Sequence, residues 1–305
     1  MQTSLRVSTR STIKRHSHRA FAACRSYAQN HTEGPAQDTS RTTHFGFKTI
    51  PESSKESLVK DVFDSVASKY DIMNDAMSLG IHRLWKDDYV SSLKPGRRGP
   101  MKCIDVAGGT GDIALRILDF AREKYADRET SVSVVDINTQ MLKEGERRFK
   151  KTMYHNTPQV SFHEGNAQAL SKEEFPDNAF DLYTIAFGIR NCTSIPMVLQ
   201  EAYRVLKPGG TFACLEFSKV TNPLLGSVYD QYSFSVIPLL GTILAGDRES
   251  YQYLVESIRR FPSQPDFAKM IQDAGFSTGG MFEGRGGAWR DLWGGVACIH
   301  TGVKI

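Results

Sequence analysis

From residue 101 onward short apolar runs alternate with amphipathic stretches, and this alternation restricts the chain more than any other feature. Residues 103–106, 132–135, 160–162, 182–187 and 211–217 read as strands, and 113–120, 141–149 and 195–206 read as helices. Strand–helix–strand repetition calls for a parallel sheet with helices on both faces. Its crossovers are right-handed, so every strand's carboxyl end falls on one edge of the sheet, where ligands bind. The residues just after each strand are therefore the ones expected to carry chemistry.

After the first strand comes Asp105-Val106-Ala107-Gly108-Gly109-Thr110-Gly111-Asp112. The glycines permit a tight turn and close approach of a ligand to the backbone. Gly109 to Ala114 also fits GxGxxA, which leaves a nicotinamide or flavin nucleotide open. The charges point elsewhere. A diphosphate sits on a helix amino terminus, and here Asp112 occupies that place with Asp105 beneath it. Two carboxylates suit a ligand carrying positive charge and no phosphate, such as S-adenosyl-L-methionine. Asp136-Ile137-Asn138 ends the second strand, 31 residues after Asp105. A carboxylate there can accept both ribose hydroxyls, or it can cap the following helix. Asn166 and Ala167 end the third strand and can face an adenine edge. Arg190 and Asn191 follow the fourth strand, at the switch-point edge where a methyl donor would meet its acceptor. Arg190 can stabilise an oxyanion on the substrate or sit in a surface ion pair. Five cysteines without a CxxC pair, and histidines without zinc spacing, give no metal signal.

Ahead of this region, Ser53-x-x-Glu56 can form a capping box for a helix whose apolar face is Val59, Val62, Phe63, Val66 and Tyr70. A second helix is expected over 81–91, stopped by Lys94-Pro95-Gly96. Residues 1–27 carry six of the 38 basic side chains and none of the 34 acidic ones, so the remaining 32 against 34 leaves −2 and no electrostatic case for nucleic acid. An Arg-, Ser- and Thr-rich, acid-free leader with Arg25-Ser26-Tyr27-Ala28 at its end is expected to be a mitochondrial transit peptide over 1–27. A flexible linker over 28–50 and one catalytic domain over 51–305 follow, with amino-terminal helices in 53–92 and a helical insertion near 222–260. The most apolar run, 234–245, is broken by Pro238 and Gly241 and is too short to span a bilayer. The aromatic stretch 222–245 is expected to be a lid over a prenyl tail, or a helical pair covering its own core.

Taken together the strand ends resemble a class I S-adenosylmethionine-dependent methyltransferase, a mostly parallel seven-stranded α/β sheet with helices on both faces. Tyr70-Asp71-Ile72-Met73-Asn74 with Ser78, His82 and Trp85 resembles the amino-terminal signature of the ubiquinone/menaquinone biosynthesis C-methyltransferase family. Arg204-Val205-Leu206-Lys207-Pro208-Gly209-Gly210 through Leu215-Glu216-Phe217-Ser218 resembles its second signature. The likeness covers 55–275 and 293–305. It implies cofactor contacts at Thr110, Asp136, Asn166 and Ala167, to which the strand-end pattern adds Asp105, Gly108, Gly111 and Ile137. It implies a polyprenylated methoxybenzoquinol as acceptor, methylated on a ring carbon, with Arg190 stabilising the phenolate and Asn191 and Tyr70 positioning the ring; Tyr70 can instead pack as core. It also implies peripheral association with the matrix side of the mitochondrial inner membrane, a multi-subunit assembly with other ubiquinone-biosynthesis proteins, and a homodimer within it. A nucleotide-dependent oxidoreductase and a non-catalytic scaffold are the competing readings. Ala107, where such loops often start with glycine, and the Gly- and Arg-rich 279–289 depart from the pattern.

Overall fold

Hydrogen bonding pairs the five apolar runs as parallel strands in one sheet. They are β3 (Lys102–Val106), β4 (Ser131–Asp136), β5 (Val160–Glu164), β6 (Phe180–Ala186) and β7 (Leu206–Phe217). A computed structural model of the chain describes residues 42–66, 80–221, 248–279 and 287–305, with positions 75, 78, 226, 229, 231 and 235 between them. All lie in the unit Thr39–Ile305.

The strands alternate between two apolar faces, as a sheet buried on both sides must. Cys103, Val132, Val134 and Leu182 point into one core, packed by Tyr89 and Val90 of α2 (His82–Leu93) and Ile113 and Ile117 of α3 (Asp112–Tyr125). Leu142 and Phe149 of α4 (Thr139–Phe149) complete that side. Ile104, Val106, Tyr183 and Ile185 point into the other, packed by Val198 and Leu199 of α5 (Ile195–Val205) and by Phe267 and Ile271 of α7 (Gln264–Asp273). The buried Tyr89 donates to Ala213 O at 2.8 Å and pins α2 across the sheet. Cys103 and Cys214 are wholly buried in the strands, as the apolar runs around them imply.

The strand order is β5-β4-β3-β6-β7-β10-β8, seven strands as expected, with β8 (Phe276–Ser277) and β10 (Ala297–Lys304) closing the carboxyl-terminal side. Only β10 runs against the others, pairing antiparallel with both β7 and β8. An eighth strand, β9 (Trp289–Leu292), pairs with β10 beside that path. Successive connections leave β3 toward β4 and leave β6 toward β7, so the crevice opens between the ends of β3 and β6.

Several boundaries differ from the sequence reading for local reasons. Within the stretch expected as linker, β1 (Thr42–Phe45) and β2 (Lys48–Pro51) form an antiparallel hairpin. Gly46 turns it at φ +57°, and Phe45 stacks on Tyr253 with ring centroids 4.1 Å apart. Tyr253 belongs to α6 (Arg248–Arg260), the described end of the expected insertion; 222–247 otherwise lie outside the described residues apart from single positions. Helix α1 (Glu52–Val66) starts directly at the end of β2, so Ser53 lies inside it and no capping box forms. Lys207-Pro208-Gly209-Gly210 does not break the chain between α5 and its strand: β7 begins at Leu206, with a register shift against β6 there. The α2 stop is as read, with Lys94 left-handed at φ 51° just before Pro95. Among the described residues no helix is long and apolar enough to cross a membrane.

Candidate functional site

The loop after β3 is held from below. Ala107, Gly109 and Gly111 have φ of +52°, +53° and +75°. A Cβ on Gly108 would stand 2.8 Å from Asp105 Oδ2 and from Val134, and one on Gly111 would stand 2.8 Å from the Phe149 ring. Asp105, Gly108, Thr110 and Gly111 therefore shape the loop from its buried side. Thr110 is 6 % exposed. Ala107 faces the end of β6 so closely that a Cβ on Gly188 would come within 2.5 Å of its own. Alanine at the first loop position thus leaves room only for glycine opposite it.

Asp105 is 1 % exposed. Thr184 Oγ1 donates to its Oδ1 at 2.7 Å, and its Oδ2 has no partner. Burial, against the Thr184 hydrogen bond, pushes its pKa up to about 7. The unfolded carboxyl ionises near its ordinary value of 3.8. Between these two values the folded state binds the extra proton, so this group's effect on stability becomes less favourable as pH rises. The stability of the protein minus that of Asp105→Asn should fall by up to about 4 kcal/mol from pH 4 to pH 7. Urea unfolding of both proteins across that range measures it, and a difference that does not move with pH refutes the reading.

At the end of β4, Asp136 faces the crevice. Its Oδ2 accepts Gly109 N–H at 2.8 Å and its Oδ1 accepts Asn138 N–H at 2.8 Å. It does not cap α4: Asn138 does, accepting from Gln140 N at 3.0 Å and Met141 N at 3.1 Å. Burial pushes the Asp136 pKa up and outweighs the opposing pull of the Asn138, Gly109 and Ile137 N–H groups. Each carboxylate oxygen keeps lone pairs for a further donor. At the end of β5, Asn166 Oδ1 accepts from Gln168 N at 2.9 Å and its Nδ2 donates to Glu56 Oε2 at 3.2 Å. Its side chain is therefore tied between its own turn and α1.

Asp112 is placed differently from the sequence expectation. Lys86 Nζ bonds its Oδ2 at 2.8 Å, and Arg116 pairs with its Oδ1. Burial pushes its pKa up, but the two cations outweigh burial and hold it below the ordinary carboxylate range. Its charge is matched within α2 and α3, so it is not the acid that selects a ligand. The acids that line the crevice are Asp136 and Glu56.

Arg190 and Asn191 lie in a 3-10 turn, Ile189–Asn191, after β6. Arg190 is not a surface residue. Its Nη1 donates to Glu216 Oε1 at 2.7 Å and to Phe187 O at 2.7 Å, and its side chain is 4 % exposed beside a Glu216 side chain at 1 %. Burial raises the Glu216 pKa against the pull of Arg190. Arg190 lines a second cavity and is absent from the lining of the crevice. Asn191 does line the crevice. Tyr253 O–H donates to its Oδ1 at 3.1 Å, which orients the amide so that its N–H₂ is the end left for a ligand. Tyr70 lies outside the described residues.

The crevice is open to solvent and is lined by residues of α1, the glycine loop and the ends of β4, β5 and β6. Asp136, Ile137, Asn166 and Ala167 line it as expected. Strand-end reasoning missed the α1 wall, Glu56, Val59 and Lys60, and the floor residues Phe187 and Gly188. Glu56 reads in sequence as a capping-box residue, and nothing in its spacing points across to Asn166. The two acids against Lys60 fit S-adenosylmethionine, whose sulfonium and ammonium groups need anions. They do not fit a diphosphate.

The model of the ubiE/COQ5 methyltransferase family matches residues 51–304. The chain is 58% identical over 290 residues to the mitochondrial 2-methoxy-6-polyprenyl-1,4-benzoquinol methylase of Schizosaccharomyces pombe, covering 94% of this chain and 93% of that one. It is 50% identical over 265 residues to the ubiquinone/menaquinone biosynthesis C-methyltransferase UbiE of Rhodopseudomonas palustris, covering 87% of this chain and 98% of the other. A solved Thermotoga maritima structure, described as a SAM-dependent methyltransferase and possible histamine N-methyltransferase, superposes with a TM-score of 0.52 at 17% identity. That superposition covers 81% of this chain and all of the other, and the likeness is one of fold.

Proposed function

Since the chain belongs to the ubiE/COQ5 methyltransferase family, we propose that it transfers a methyl group from S-adenosylmethionine to a ring carbon of 2-methoxy-6-polyprenyl-1,4-benzoquinol, a step of ubiquinone biosynthesis. The oxidoreductase reading of the glycine loop falls with that membership. The observation that carries the proposal is the acidic lining of the crevice, with Asp136 accepting Gly109 N–H and Glu56 on the α1 wall.

S-adenosylmethionine supplies an electrophilic methyl group. The protein's residues do the rest. Asp136 receives the ribose hydroxyls, and Ile137 with Ala167 flanks the adenine. Asp105, Gly108, Thr110 and Gly111 keep the loop in the shape that lets its backbone approach the ligand. A ring carbon is a weak nucleophile until the neighbouring hydroxyl passes its proton to water. As the C–CH3 bond forms, the S–CH3 bond breaks with its electron pair staying on sulfur, and the ring carbon's own proton then leaves to water, restoring the aromatic ring. The Asn191 N–H₂ is placed to donate to the hydroxyl oxygen as it gains charge, and Tyr70 orients the ring. Arg190, committed to Glu216, positions Asn191 through the turn they share.

Residence in mitochondria is supported by the mitochondrial relatives and by the basic, acid-free residues 1–27. The acceptor's tail is insoluble in water, which supports peripheral contact with the matrix side of the inner membrane. Association with other ubiquinone-biosynthesis proteins, with a homodimer among them, belongs to the same proposal.

Titration of the full chain with S-adenosylmethionine and NADH, followed by transfer of labelled methyl to a short-tailed methoxybenzoquinol, tests it. Binding of the first ligand alone and label on a ring carbon are expected. Label on oxygen, or NADH as the only ligand bound, overturns the proposal.

A further inference from the structure

Behind the α1 wall lies a second cavity, open on one side to solvent and bounded by the hairpin, α1, the start of α5 and the end of α6. Its walls carry Lys55, Arg190 and Arg260 against one carboxylate, Glu52, among the described lining residues. Arg190 is matched by Glu216. Lys55 and Arg260 have no ion-pair partner among the described residues. Lys55 is 2 % exposed, and one of its three N–H donors is used, on Cys192 O at 2.9 Å. A buried ammonium without a counter-charge is costly unless an anion joins it. Arg260 reaches Phe47 O at 3.5 Å and lies over the Phe47 ring, leaving most of its fork free. His44 lines the same cavity, and after burial the charges of Lys55 and Arg260 lower its pKa. The first turn of α5, where Ser194 makes no side-chain cap, adds the positive end of a helix dipole.

We propose that this cavity binds a phosphate-type anion, on Lys55 and Arg260, as a site separate from the cofactor crevice. Free phosphate and a phospholipid headgroup share that chemistry. The site borders the crevice through two elements. Lys55 is followed on α1 by Glu56, which takes Asn166 on the crevice side. Cys192 and Thr193 line both spaces. An anion on Lys55 fixes α1 and the Cys192 turn, and so tightens the crevice. By linkage the cofactor raises anion affinity by the same factor.

The test uses the full chain, Arg260→Gln, whose residue is exposed, and Lys55→Met, which keeps the apolar stem. Calorimetric titration with inorganic phosphate is run against chloride of equal ionic strength, with and without saturating S-adenosylmethionine. Flotation compares phosphatidylglycerol vesicles with phosphatidylcholine vesicles; the basic residues 1–27 are common to all three proteins and cancel. We expect phosphate to bind, each substitution to weaken it by about tenfold, and saturating cofactor to make it bind more tightly. Binding to phosphatidylglycerol vesicles alone, released by both substitutions, supports the site with a headgroup as its occupant. Competition between phosphate and S-adenosylmethionine, affinity unchanged in both variants, or no binding in either arm overturns the proposal. Failure of S-adenosylmethionine to bind at all would instead count against the proposed function.

Discussion

Asp136→Ala is expected to weaken S-adenosylmethionine binding by at least about 100-fold while the protein stays folded. Two effects add. The first is loss of a carboxylate that accepts two ribose hydroxyls; hydrogen bonds to a charged group contribute roughly 1.5–3 kcal/mol each. The second is loosening of the glycine loop, because Gly109 N–H and Asn138 N–H both rest on this side chain. Folding is spared because Asn138 caps α4 by itself, through Gln140 and Met141. Asp136→Asn separates the two contributions. It keeps the size and one acceptor oxygen but turns an N–H₂ toward a backbone N–H, so it should bind nearly as weakly. Calorimetric titration with S-adenosylmethionine, with circular dichroism as the check on folding, reads both. An affinity within tenfold of the unaltered protein would remove Asp136 from the ribose position and leave it as a loop brace only.

The central parallel strands β3, β6 and β7 were legible because they are largely buried on both faces and carry mostly apolar residues, while the half-exposed β5 was placed by its spacing from them. From β3 to β6 that reading found the crevice edge and Asp136, Ile137, Asn166 and Ala167 on it. What it could not find is pairing across the chain. Asp112 looks in sequence like a free acid at a helix start, and only the fold brings Lys86 to it. Arg190 looks like an exposed cation at a strand end, and only the fold sets Glu216 beside it. The α1 wall was hidden for the same reason: Glu56 carries a plausible local role as a cap, and its partner Asn166 lies 110 residues away. The hairpin at Thr42–Pro51 went unread because a four-residue polar strand has no apolar periodicity. Its anchors, Phe45 on Tyr253 and Phe47 N–H on Glu256 Oε2 at 2.9 Å, are tertiary contacts.

Arg190→Ala should destabilise the fold by about 3–5 kcal/mol, because it strands the Glu216 carboxylate in the interior. Glu216 Oε2 already lacks a hydrogen bond, so Oε1 depends on Arg190 and on Phe217 N–H. The paired replacement Arg190→Met with Glu216→Leu removes both charges and keeps the volume, and should return most of that stability. Urea unfolding of the singles and the double measures the coupling. The double variant then separates two roles that the single cannot. A guanidinium held 2.7 Å from a carboxylate has little field left for an oxyanion. Its work is to hold the Ile189–Asn191 turn against α6, through Ser257 at 3.3 Å, next to the Tyr253 bond to Asn191. For such a positioning residue the double variant should bind S-adenosylmethionine normally and lose about tenfold in kcat with the acceptor KM raised. A stable double variant slowed by several orders of magnitude in kcat, with KM and cofactor affinity intact, would instead make the Arg190 charge part of the transition state. It would also mean that Glu216 releases the guanidinium when the acceptor binds.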